Sequence, residues 1–281
     1  MTTPQGIEIP PPSPDDVLYR KDGAIGWVTL NRPVVLNAIN WSIRRRLLWA
    51  LRQAEGDDEV RVVILGGAGR AFCAGGDIQS TPPPDDELIP GGMEIFMTIW
   101  SMPKPVIAAV RGHAVGQGCE LAGICDLTIA TEDAKFGEIQ IRHGFGPPLL
   151  ISPYLVGLKQ AKELLLLGEI VDAREAQRLG LVNRVVADDR LEAEAESIAR
   201  KMAALPQHAV RQNKLLVNRV YELAAFHQAL DYRDDPVIKA AGETGGEATL
   251  NEHLRVLREQ GWEAFRGSRD ALYTEHETQG P

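Results

Sequence analysis

Val110-Arg111-Gly112-His113-Ala114-Val115-Gly116-Gln117-Gly118-Cys119-Glu120-Leu121-Ala122-Gly123 is the stretch on which the reading of this chain turns. An apolar run with two prolines, 103–110, leads into it and reads as a buried strand. Three glycines within seven residues follow, then an apolar, helix-like run that holds one carboxylate, Glu120. A strand, a glycine-rich turn and a helix start expose backbone N–H groups at one corner. Such a corner attracts anions, because the first N–H groups of a helix lack internal partners and the dipole is positive there. Glu120 falls in the first turn among Leu121, Ala122, Ile124 and Cys125. A carboxylate in that company is costly unless it is paired or used. Taken alone, the pattern reads first as a tight turn with a structural carboxylate.

A second stretch changes the balance. Gly69-Arg70-Ala71-Phe72-Cys73-Ala74-Gly75-Gly76-Asp77-Ile78 follows 60–65, which reads as a buried strand. Ala74-Gly75-Gly76 lets backbone approach a ligand closely.

Together the two stretches resemble the enoyl-CoA hydratase/isomerase (crotonase) family. Leu30-Asn31-Arg32-Pro33, Leu36-Asn37-Ala38, Pro105-Val106-Ile107-Ala108-Ala109-Val110, Cys125-Asp126, Phe136-Gly137 and Gly180-Leu181-Val182 carry the resemblance further, in the family's order and spacing. It covers residues 17 to 220, and the combination is highly specific. It implies an α/β fold with a stacked ββα spiral core and a helical C-terminal region. The substrate it implies is an acyl-CoA thioester, with no cofactor, because coenzyme A is part of the substrate, and no metal. The expected assembly is a homotrimer or a dimer of trimers.

Composition agrees with that class. The chain has 281 residues, 44% of them hydrophobic, enough for one sizeable core. A net charge of −9 argues against nucleic acid as a partner. The three cysteines, Cys73, Cys119 and Cys125, form no Cys-x-x-Cys pair and suggest reduced thiols in a cytoplasmic protein. No apolar run reaches the roughly 18 residues of a membrane helix, so no membrane partner is expected. Residues 1–16 hold five prolines and no signal pattern, and read as a disordered tail.

Residues 24–30 read as a strand that Asn31-Arg32-Pro33 ends. Residues 40–54 form an amphipathic helix with Ile43, Leu47, Leu48, Leu51 and Ala54 on one face, capped by Asn40 or Ser42. Arg44, Arg45 and Arg52 lie off that face and read as solvated, with contact to CoA phosphates as the second reading. Residues 80–92 read as a mobile loop and 88–100 as an apolar helix whose residues read as core, although the resemblance implies that it borders the acyl pocket. Residues 127–130 read as a strand. Helices are expected at 159–167, 173–179, 189–204, 208–220, 221–232 and 262–273, with a Gly- and Glu-rich loop over 241–249. Strand-then-helix alternation followed by helices divides the chain into a core over 17–205 and a helical region over 206–281, for which the resemblance implies a role in oligomerisation.

The resemblance also assigns roles. The backbone N–H groups of Ala74 and Gln117 would grip the thioester oxygen and stabilise the enolate. Gln117 stands where the family commonly has glycine. Val34, Leu36, Gly75, Gly76, Asp77, Ile78 and Gly116 would line the CoA and substrate path. Asp77 also reads as a helix cap, and Val34 or Val35 replaces a basic residue common in the family. Glu120 matches the first of the two glutamates that hydratases use. The second falls on Gln140, which hydrogen-bonds but does not exchange protons near neutral pH. Glu138 and His143 are candidate substitutes. An extended segment would put Glu138 and Gln140 on one face, about 6.6 Å apart. Alternatively Glu120 works alone, which suits isomerisation, thioester hydrolysis or carbon–carbon cleavage as well as hydration. A CoA-ester-binding protein with little turnover is the non-enzymatic alternative. Pro148-Leu149-Leu150 replaces the family's glycine pair, which points to an unusual acyl pocket.

Overall fold

The computed structural model describes residues 13–80, 92–230, 235–242 and 246–277. β1 (Val17–Asp22) and β2 (Ile25–Leu30) form an antiparallel hairpin. After α1 (Trp41–Gly56), β3 (Val62–Gly67) returns parallel to β2. α2 (Gly92–Ser101) leads to β4 (Val106–Val110), parallel to β3. β5 (His113–Val115) and α3 (Gln117–Gly123) follow, and β6 (Leu127–Thr131) pairs parallel with β4. β7 (Lys135–Gly137) lies beside β5 and leads into a 3-10 helix, Ile139–His143. α4 (Ser152–Leu155), α5 (Leu158–Leu167), β8 (Val171–Asp172), α6 (Ala173–Leu179), β9 (Arg184–Val186) and α7 (Leu191–Ala204) complete the core. The main sheet runs β1-β2-β3-β4-β6-β9 and the second β5-β7-β8.

Strand alternation divides the core. Val62 and Ile64 of β3 join Ile25, Ile107 and Ile129 beneath Leu191, Ala195 and Ala199 of α7. Val63 and Leu65 face the other way and join Ile43, Leu47 and Leu51 of α1. A parallel sheet covered on both faces needs such unbroken apolar runs.

The sequence reading placed most of these elements, and Asn40 is the cap of α1, its side chain accepting the Ile43 N–H at 2.8 Å. Four expectations change. Residues 13–16, expected within a disordered tail, form a capped 3-10 turn: Ser13 and Asp16 cap one another, and the Asp16 carbonyl accepts the Asn31 N–H. The expected helix over 221–232 is split: α8 (Gln207–Leu223) ends before Ala225, whose φ is 65°, and α9 (Phe226–Leu230) follows. Residues 241–242 and 246–249 are helical rather than looped, and 243–245 lie outside the described residues. α10 (Pro236–Gly242) runs to one side of 243–245 and α11 (Gly246–Glu277) starts on the other, kinked at Gly261. Of the α1 arginines expected to be solvated, Arg44 and Arg45 are half-buried, whereas Arg52 is exposed as expected. Arg46 lies over the Trp49 ring at 4.2 Å and Arg45 over Trp41 at 5.5 Å. The loop expected over 80–92 lies, for 81–91, outside the described residues.

Candidate active site

The two glycine-rich stretches meet through their backbones. The Cys73 N–H donates to the His113 carbonyl at 2.9 Å, and the Val115 N–H donates to the Cys73 carbonyl at 3.1 Å. This rung carries the 74–77 segment onto the start of α3. Gly118 makes the fit possible, because a Cβ there would lie 2.3 Å from the Cys73 carbonyl oxygen. Gly75, at φ 96°, lies so close that its Cβ would stand 3.6 Å from the Gln117 nitrogen and 2.9 Å from the Val115 oxygen. Gly118→Ala is therefore expected to force the stretches apart. Overpacking of this kind costs about 3 kcal/mol, to be read as a lower midpoint in urea unfolding.

The expected oxyanion hole is only partly open. Gln117 is the first residue of α3, so its N–H has no acceptor one turn back in the helix. The Ala74 N–H, expected to await a thioester oxygen, instead donates to the Leu36 carbonyl at 2.9 Å. Leu36 and Asn37 hold φ values of 52° and 58°, which turn that carbonyl toward Ala74. Buried Asn37 stabilises the turn: its amide donates to the Ala71 carbonyl at 2.8 Å and the Ala68 carbonyl at 3.0 Å, and its oxygen accepts the Arg32 N–H.

Asp77 starts a turn rather than a helix, and its carboxylate pairs with Arg32 at 3.1 Å. Gly76 and Val34 are exposed, and Ile78 is half-buried beside Asp77. The Gln117 side chain is buried, and its Oε1 would lie 3.2 Å from a Cβ at Gly76.

The acid–base candidates gather around Gln140. Glu120 is fully buried in α3. Past β7 the chain is not extended as expected: Glu138, at φ −93° and ψ 73°, stands at the start of the 3-10 helix without its side chain capping it. That turn still brings Glu138 and Gln140 together. Gln140 Nε2 donates to Glu120 Oε1 at 2.9 Å and to Glu138 Oε2 at 3.1 Å. The Ser152 hydroxyl donates to Glu138 Oε1 at 2.6 Å. Sequence reading missed Ser152, which carries no motif and reaches the cluster from the start of α4.

Burial raises the Glu138 carboxyl to about 7, against opposing hydrogen bonds from Ser152 and Gln140. The folded chain therefore holds this proton more tightly than the unfolded chain does. Stability from this group is present below the ordinary glutamate range and is lost as pH rises through about 7. Glu138→Gln is expected to raise the melting temperature at pH 8, with the gain disappearing by pH 4. Thermal scans across that range check the sign.

Burial also pushes the Cys73 thiol up to about 12, and burial followed by Glu138 and Glu120 raises Cys119. Neither is a ready nucleophile. His143, the other candidate substitute, is engaged by residues of α11 rather than by the Gln140 cluster. Its ring stacks on Phe265 of α11 at 6.0 Å and meets His253 edge-on at 5.6 Å. Burial, with Arg269 beside it, lowers it to about 4, so it stays neutral. Among the described residues no cluster of His, Cys, Asp and Glu is arranged to hold a metal ion.

Comparison with known proteins gives the family to which this geometry belongs. The enoyl-CoA hydratase/isomerase family model matches residues 20–242. A probable enoyl-CoA hydratase of Rhizobium meliloti (strain 1021) is 42% identical over 216 residues, 74% of this chain and 83% of that protein. A short-chain-enoyl-CoA hydratase of Clostridium acetobutylicum is 38% identical over 216 residues, 73% of this chain and 82% of that protein. The crystal structure of an enoyl-CoA hydratase/isomerase from Xanthobacter autotrophicus Py2 superposes with a TM-score of 0.82 at 38% identity, covering 91% of this chain and 97% of that one. The chain belongs to the enoyl-CoA hydratase/isomerase family.

Proposed function

We propose that the chain is an enoyl-CoA hydratase that adds water across the double bond of a 2-enoyl-CoA thioester. One observation carries the reading. Gln140 has its nitrogen fixed between the carboxyls of Glu120 and Glu138, and its Oε1 is buried with no hydrogen-bond partner. A buried acceptor beside a carboxylate suits a water molecule, which donates one hydrogen to each.

The thioester oxygen takes the N–H groups of Gln117 and Ala74, the latter released from or shared with the Leu36 carbonyl. Water held by Gln140 Oε1 gives a proton to the Glu120 carboxylate as its oxygen bonds to C3. The double-bond electrons move toward the thioester, and the hole stabilises the resulting enolate. Glu120 then returns its proton to C2. Hydroxyl has been added at C3 and hydrogen at C2, and Glu120 is a carboxylate again. Gln140 orients water, and Glu138 with Ser152 is a positioning pair that keeps the Gln140 oxygen turned inward. No cofactor is assigned, because coenzyme A is part of the substrate.

The reading extends to a homotrimer or dimer of trimers. Its support is the exposed apolar row Leu215, Leu216, Val220 and Leu223 on α8, a kind of patch that marks interaction surfaces. A cytoplasmic location is supported by three free cysteines; no helix among the described residues is long and apolar enough to cross a membrane.

The test follows the ultraviolet band of the conjugated thioester in crotonyl-CoA and a longer 2-enoyl-CoA, with product mass. Loss of the band with a gain of one water supports the reading. Tight binding without that loss overturns it in favour of a one-carboxylate isomerase, hydrolase or carbon–carbon lyase.

A further inference from the structure

Gln117 brings a polar side chain to a position next to the hole, and that side chain is not used by the hydration scheme. It is more than nine-tenths buried. Its Oε1 is shielded from water and accepts no hydrogen bond. A buried amide oxygen left in that state is unfavourable by an amount comparable to a lost hydrogen bond. The same oxygen sits against exposed Gly76, where a Cβ would come within 3.2 Å of it. The orphaned acceptor therefore borders the open path over Gly76, while Gln140 lies at a different wall, against Gly116.

We propose that the Gln117 side chain is a specificity-determining residue that accepts the amide N–H of the substrate's cysteamine unit. This rests on the thioester reading above and deepens it. Chemistry selects the donor. A simple enoyl chain offers no hydrogen-bond donor, and the first one beyond the sulfur is the cysteamine amide.

Reach selects it too. The thioester oxygen and that amide nitrogen are separated by as many covalent bonds as the Gln117 backbone nitrogen and its Oε1. One residue thus holds two successive polar groups of one ligand: the carbonyl oxygen by its N–H and the amide N–H by its side chain. A glycine at this position supplies the first contact without the second.

The test uses binding, so it does not depend on turnover. Two saturated thioesters are titrated into the full chain by ligand-observed NMR: S-butyryl-N-acetylcysteamine, and its analogue with an ester oxygen in place of the amide N–H. The wild-type chain is expected to bind the amide about tenfold more tightly, the scale of one hydrogen bond. Gln117→Leu is expected to bind the two equally. Gln117→Met, which keeps the length without the polar atoms, serves if the leucine variant does not fold.

A wild-type ratio near one, or a tenfold ratio that persists in the variants, overturns the assignment. Failure of the wild-type chain to bind butyryl-CoA overturns it together with the thioester reading. The expected ratios with no hydration of crotonyl-CoA support the assignment and overturn the hydratase reading alone.

Discussion

Glu120→Gln is expected to lower kcat for crotonyl-CoA hydration by about 10³-fold, ~4 kcal/mol in barrier height. The substitution keeps the shape and still accepts the Gln140 N–H, so the cluster retains its packing. What disappears is a group able to take a proton from water and return it to carbon. Glu120 is the α3 carboxylate that accepts the Gln140 N–H. Affinity for butyryl-CoA should change by less than about threefold, because saturated thioesters need no proton transfer. The measurements are steady-state hydration and a binding titration on the same preparation. Hydration within about tenfold of wild type would remove Glu120 from the chemistry.

Gln140→Leu is expected to have the second largest effect. Leucine has no carbonyl to hold water and no amide to lie between two carboxyls. Hydration should fall about 10²-fold, the lower end of what a positioned group contributes to proton transfer. Stability should fall by about 3 kcal/mol, since a donor to two buried carboxyls is lost at once. Glu138, deprived of one of its two donors, should be protonated over a still higher range of pH. Kinetics and urea unfolding at pH 7 read both losses. Unchanged hydration would show that water is held elsewhere.

Much of this was legible in the sequence. The two glycine-rich stretches, their order and the lone carboxylate of 110–123 are local patterns, and each has a physical reason to sit where the structure places it. Val62 to Leu65 announces a strand buried on both faces, and Ile43, Leu47 and Leu51 announce a helix face. The cluster geometry was less legible. Whether Glu138 and Gln140 meet depends on a ψ of 73° at one residue, which no periodicity encodes. The extended geometry assumed for them was incorrect, although they do come together. Ser152 joins from fourteen residues away and His143 is claimed by residues of α11, so both depend on tertiary packing. The Leu36 carbonyl reaches Ala74 through left-handed backbone at two side-chain-bearing residues, Leu36 and Asn37, which residue type alone does not announce.

The contact between Gly118 and the Cys73 carbonyl separates two kinds of inheritance in this chain. The frame of the site is written largely in main-chain atoms, held close by glycines such as Gly75 and Gly118. The residues projecting from the frame, such as those at 117 and 140, are free to be exchanged without rebuilding it. A change of substrate or of reaction can therefore be reached by single substitutions that leave the main-chain frame in place, whereas a methyl group at 118 would disturb the frame itself.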